Sequence, residues 1–218
     1  MDIILASANS KKIKELQEIL KSSNIRAYTE LLDEVEIVED GASFEENAFL
    51  KARTIYELLS EREGDFCILA DDSGLCVEAL GGMPGIYSAR FASVIEGAKE
   101  IARGEFAIPQ RHLGDEANNL KLLDSLQELG LSESKASFVC VIALCVRIGG
   151  VVKWENFRGE LKGKVLKAPL NPQAFGYDPL FVPEGYELTM DQIQEKNSIS
   201  HRFLALKQVK KFLDSLQR

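Results

Sequence analysis

Apolar positions along this chain follow two rhythms, and the places where one gives way to the other mark out its elements. Asp2 to Ala6 (D-I-I-L-A) is a short apolar run that predicts a strand. From Lys11 to Ser22, Ile13, Leu16, Ile19 and Leu20 share one helical face. A second helix is expected from Ser43 to about Leu59, because S-F-E-E places Glu46 three residues after a capping serine. Phe66 to Ala70 is apolar throughout and reads as a buried strand. Asp71-Asp72-Ser73-Gly74 follows it, expected to bend the chain, and then a second apolar run, Leu75 to Leu80. Residues 81–85 (G-G-M-P-G) form a turn-rich loop. Residues 92–117 have weak periodicity and predict a loop with some helix, and Asn118 to Leu129 predict a helix. Ala136 to Arg147 and Val151 to Gly159 are rich in β-branched and aromatic residues, and Gly149-Gly150 between them signals a hairpin. Four of the six prolines fall in 169–186, a predicted long loop, and Phe203 to Leu216 close the chain as an amphipathic helix.

This alternation, without repeats or linkers, predicts one α/β domain over residues 1–218 with a mixed sheet. At 218 residues, 45% hydrophobic and 28% charged, the chain can bury a sizeable core. Its net charge of −8, with no Lys/Arg block, argues against a nucleic-acid surface. No apolar stretch approaches the roughly 20 residues of a membrane span. The N-terminus lacks the basic segment and longer apolar run of a secretory signal. Cys67, Cys76, Cys140 and Cys145 have no C-x-x-C spacing and read as buried thiols in a reducing compartment. A cytoplasmic location is expected.

Two adjacent carboxylates at the end of a buried strand are costly to keep. If Ser73-Gly74 bends the chain, Asp71 and Asp72 can serve one site, and a magnesium ion would relieve their repulsion. The alternative is a structural turn capped by Asp71. Lys51 completes the spacing of Phe44, Ala48, Ile55 and Leu58 on the second helix, so it either snorkels to solvent or aims its ammonium into a cleft. The strand–polar loop–helix arrangement at 7–12 suits an anion at a helix start, with Lys11 and Lys12 as point charges. Phe175 or Tyr177 offers a ring to stack on a flat base, His201 and Arg202 offer donors to its edge, and Lys196 offers a further phosphate contact. Together these suggest a nucleotide and a divalent metal.

With those residues in view, the chain resembles the inosine triphosphate pyrophosphatase family nearly end to end. The matching stretches are S-A-N-S-K-K at 7–12, G-A-S-F-E-E-N-A-F-L-K-A-R at 41–53, and L-A-D-D-S-G-L-C-V-E-A-L-G-G-M-P-G-I-Y-S-A-R at 69–90. F-G-Y-D-P-L-F at 175–181 and K-N-S-I-S-H-R at 196–202 follow in the same order. The resemblance implies an elongated mixed sheet flanked by helices, two lobes with a central cleft, and usually a homodimer. It implies Mg²⁺-dependent cleavage of ITP, XTP and their deoxy forms between the α- and β-phosphates. By position it places Ser7, Ala8, Asn9, Ser10, Lys11 and Lys12 on the triphosphate, with Lys51 beside it. Glu39 and Asp72 would hold the metal, Asp72 would be the general base with Asp71 in support, and Ser73 would touch substrate. Phe175, Gly176, Tyr177, Asp178, Lys196, His201 and Arg202 would line the base and phosphate pocket. Two departures stand out: Ser7-Ala8 where Thr-Gly is common, and a 92–117 segment without the usual short acidic pattern. The rivals are a Maf-like pyrophosphatase, which would lack S-H-R, and a nucleotide sensor, which would have little use for the acid cluster.

Overall fold

In this computed structural model the described residues are 2–7, 10–20, 24–168, 171 and 174–216, with Ser10, Lys11 and Glu15 described by backbone alone. The strands are β1 (Asp2–Leu5), β2 (Ile25–Ala27), β3 (Phe66–Val77), β4 (Glu133–Ile148), β5 (Val151–Leu166) and β6 (Phe181–Pro183). The helices are α1 (Ser10–Ile19), α2 (Phe44–Leu58), α3 (Ala98–Ala102), α4 (Asp115–Glu128) and α5 (His201–Leu216). The strands form one six-stranded sheet in the order β2-β1-β3-β4-β5-β6. β1 runs parallel to β2 and β3, whereas β5 and β6 are antiparallel, so the sheet is mixed as expected. Among the described residues no helix is long and apolar enough to cross a membrane.

The chain divides into two compact units. One comprises Met1–Asp72, Cys140–Gly159 and His201–Arg218, and the other comprises Ser73–Val139 and Glu160–Ser200. In the first, Ile3 and Leu5 of β1, Cys67 and Leu69 of β3 and alternate residues of β4 pack with Leu16 of α1 and Leu206 and Val209 of α5. The intervening Phe66 instead meets Tyr56 of α2, with ring centroids 6.4 Å apart. Alternate residues of β3 therefore face different helical layers, which is why its first five residues are apolar without interruption. In the second unit, Leu75, Val77, Phe138, Tyr177 and Phe181 share a core with α4 residues Leu122 and Leu126.

Local signals in the sequence have clear counterparts. Ser43 caps α2, its side chain accepting from Glu46 N at 3.1 Å. Glu46 reaches one residue further back than a capping box requires, accepting from Ala42 N at 2.7 Å. Gly149 and Gly150, at φ 56° and 79°, make the turn between β4 and β5 with the positive φ at both positions that a tight hairpin needs. Three expectations are corrected. β2 is an additional strand. α5 begins at His201, not Phe203. β3 runs unbroken through Asp71-Asp72-Ser73-Gly74. Gly74 is small for a different reason from a bend: a Cβ there would meet Gly85 O and the Ser88 hydroxyl.

Candidate active site

Pairing of β1 with β3 ends at Leu5 opposite Leu69, with Ala6 N still donating to Leu69 O at 2.8 Å. β3 continues past that point, and its next residues are Ala70, Asp71 and Asp72. The open space beyond the end of β1 is a cavity of about 310 Å³ lined by Ser7, Lys12, Tyr28, Glu39, Lys51 and Asp71, among others. A crevice outside the carboxyl end of parallel strands is where open α/β sheets hold ligands.

Because β3 is unbroken, Asp71 and Asp72 point to opposite faces, and each finds its own cations. Asp71 takes Lys12 of α1 at 3.1 Å and Arg202 of α5 at 3.2 Å. Asp72 takes Lys51 of α2 at 3.0 Å and accepts from the Asn47 amide at 3.3 Å. Lys51 also holds Glu39 at 2.9 Å. Asn47, one turn before Lys51, is fixed in turn by Gly41 N, which donates to its Oδ1 at 2.9 Å. The helical stripe that carries Lys51 thus buries its ammonium among carboxylates and does not release it to solvent; it is Leu58, at 48% exposed, that leaves the core.

The electrostatics follow from burial and partners. Burial alone would raise the Asp71 pKa, but Lys12, Arg202 and Lys51 outweigh it and hold this carboxyl well below the usual carboxylate range. Burial would lower Lys51, yet Asp72, Glu39 and Asp71 push it above its ordinary value, so it stays protonated. For Asp72 burial wins: its pKa lies above the ordinary carboxylate value although Lys51 opposes the rise, and Glu39 adds to it. Desolvation, and not the nearby ammonium, sets the direction for Asp72. The two adjacent acids are driven apart, one toward permanent charge and one toward a stronger base. Burial, with Arg202 beside it, holds the His201 pKa well below the usual imidazole value, so His201 is neutral at physiological pH.

A metal's fit can be judged from the donor set. Glu39 and Asp72 converge on one cation, the Lys51 ammonium. Hard carboxylate oxygens in that number suit Mg²⁺ when phosphate oxygens and water complete its shell. Among the described residues no group of three or more His, Cys, Asp or Glu side chains forms a complete protein cage. The residues fit an ion shared with a phosphate.

The remaining sequence-predicted residues fall as follows. Ser7 lines the cavity, whereas Ala8 and Asn9 lie outside the described residues, as do the side chains of Ser10 and Lys11. His201 and Arg202 open α5, and Arg202 is fully buried, with Nε and Nη2 turned to Asp71 and not to open space. Ser73, Phe175, Gly176, Tyr177, Asp178 and Lys196 belong to the second unit. There Lys196 pairs with Asp178 at 2.7 Å. Tyr177 is corrected as a stacking ring: it is buried in the core and its hydroxyl donates to Ser88 O at 2.8 Å. Burial, with Asp115 nearby, pushes its phenol well above the usual value. Phe175, by contrast, is half-buried. Sequence reasoning missed Tyr28 in the cavity wall, and it held Asn47 only as part of the matching stretch 41–53. The 3-4 spacing of α2 carries the signal for Asn47.

Comparison with known proteins agrees over the whole chain. The model of the Ham1 family matches residues 3–212. A dITP/XTP pyrophosphatase of Campylobacter jejuni is 40% identical over 221 residues, covering 100% of both chains. One from Clostridium perfringens is 43% identical over 212 residues, covering 95% of this chain and 94% of its own. The solved structure of a HAM1 protein from Coxiella burnetii has a TM-score of 0.77 at 33% identity and covers 99% of each chain.

Proposed function

The chain belongs to the Ham1 family, and from that premise we propose that it is a dITP/XTP pyrophosphatase. It hydrolyses non-standard purine nucleoside triphosphates (ITP, dITP, XTP, dXTP) to the monophosphate and pyrophosphate and so clears them from the nucleotide pool. The observation that carries this reading is the pair Lys12 and Lys51 in the wall of the cavity, Lys12 held by Asp71 and Lys51 by Asp72 and Glu39. Two cations at a cavity and a raised, buried carboxylate beside one of them are what a triphosphate and a water-activating base require.

In this reading residues 1–218 are one catalytic domain, supported by relatives matched at full length. Lys12 and Lys51 bind phosphate oxygens, and in-line placement of water with charge neutralisation does most of the chemistry. Asp72 accepts the water proton at its carboxylate, and Asn47 keeps that carboxylate aimed. Asp71 holds Lys12 and Arg202 in place. Glu39 and Asp72 would hold Mg²⁺, which when bound supplies charge neutralisation and lowers the pKa of water. Phe175 to Asp178 and Lys196 take the base end of the substrate. A cytoplasmic location is supported by cysteines kept as thiols, Cys67 and Cys145 among them. A homodimer would find exposed apolar side chains at Ile95, Ile108 and Leu113.

The test is a panel of dITP, XTP, ITP, dGTP, GTP, ATP and CTP with Mg²⁺. Preferential turnover of the first three supports the proposal; tight binding of dITP without turnover would make the chain a sensor and overturn it. The pH profile tests the base. Protonated Asp72 cannot accept a proton, so kcat/KM is expected to fall on the acid side. An acid limb that persists unchanged in Asp72→Asn would contradict that role.

A further inference from the structure

We propose that Asp115 and Asn119, on the first turns of α4, are positioning residues that set the nucleobase loop Phe175–Asp178 by gripping Gly176 from both sides. Gly176 N donates to Asp115 Oδ2 at 2.8 Å, and Gly176 O accepts from Asn119 Nδ2 at 3.0 Å. The two side chains are four residues apart, so one helical face presents both. Gly176 has φ of 58°, in the left-handed region, so the loop depends on a backbone turn that other residues rarely adopt. A main chain in that conformation needs to be held, and here both its amide and its carbonyl are.

Asn119 is 4% exposed, and its Oδ1 has no hydrogen-bond partner among the described residues. An orphaned buried acceptor is costly, so the bond to Gly176 is what this amide is there to make. The rest of the loop is pinned independently. Phe175 O accepts from Asp178 N at 3.2 Å and closes the turn. Tyr177 donates to Ser88 O at 2.8 Å, and the Ser88 hydroxyl both accepts from Leu75 N at 2.9 Å and donates to Gly85 O at 2.6 Å. Tyr177 is thus tied to β3 three residues after Asp72. The half-buried ring of Phe175 stands on the residue next to Gly176. Neither Asp115 nor Asn119 lies in the stretches that carry the family resemblance.

This inference rests on reading 175–178 as the base pocket, and the experiment separates the two. Asp115 is exposed, so Asp115→Ala leaves the core alone, and Asp115→Asn keeps an acceptor for Gly176 N. The readouts are KM and kcat for dITP and inhibition constants for dIMP and for inorganic tripolyphosphate, which has no base. Asp115→Ala is expected to raise the dITP KM and the dIMP constant about 3- to 10-fold, the effect of one lost hydrogen bond, with a smaller change in kcat. Asn119→Asp, the same shape with a carboxylate facing Gly176 O, is expected to do likewise. Asp115→Asn should recover most of the loss, and tripolyphosphate inhibition should be unchanged throughout. Wild-type KM in Asp115→Ala, or an equal loss for tripolyphosphate, would overturn the positioning role. If Phe175→Ala weakens dIMP while Asp115→Ala does not, that role alone falls. If Phe175→Ala also leaves dIMP unchanged, the base-pocket reading falls with it.

Discussion

Replacing Asp72 with asparagine is expected to lower kcat for dITP at least about 10²-fold, the usual size of a general-base contribution. The substitution keeps the shape and an oxygen that can accept from Lys51 at the 3.0 Å now spanned by the ion pair. It removes the negative charge and the basicity that burial gives this carboxyl. The loss should appear in kcat more than in KM, because Lys12 and Lys51 still meet the phosphates. The acid limb of the pH profile should move or vanish with the group that causes it. Initial rates of pyrophosphate release at saturating dITP measure the effect. A variant as fast as the parent would take Asp72 out of the chemistry.

Asp71 is expected to matter first for stability. It and Arg202 are 1% and 2% exposed in their side chains, and Lys12 adds a second cation to the same carboxylate. Asp71→Asn leaves a buried guanidinium without its counter-charge, which typically costs about 3–5 kcal/mol. Urea unfolding should show that loss, and adding Arg202→Met should restore part of it, since the pair and not either residue alone is what was broken. Because the Asp71 pKa is depressed in the folded protein, its stabilisation is fully present above the unfolded value of about 3.9 and fades as the pH falls below it. Asp71→Asn should therefore flatten that acid portion of the stability curve. A loss under about 1 kcal/mol would mean that the buried pair is not holding this end of β3.

The elements that depend on short-range rules were legible. Ser43 and Gly149-Gly150 act within a few residues of themselves, and so does the apolar face of α1. What escaped was set by distance. Asp71-Asp72-Ser73-Gly74 looks like a turn when read alone, because carboxylates and glycine are rare inside strands. The groups that allow β3 to continue lie 59, 131 and 21 residues away, at Lys12, Arg202 and Lys51. Tyr177 was read as a ring for stacking because nothing local says that Ser88, 89 residues off, takes its hydroxyl. Asp115 and Asn119 resemble ordinary polar helix positions until Gly176 is seen between them. β2 is three residues long, too short to show a period. The family resemblance identified Asp72, Lys51 and Lys12 by position; the physical reason for each became visible only with their partners.

The central claim is that this site cuts between the α- and β-phosphates. The most direct measurement is the phosphorus-containing product of dITP, resolved as pyrophosphate or orthophosphate while dIMP and dIDP are followed in the same reaction. Pyrophosphate and dIMP in equal amounts, with no dIDP at any time, is the predicted result. Orthophosphate accompanied by dIDP would place the cut at the γ-phosphate and contradict the account.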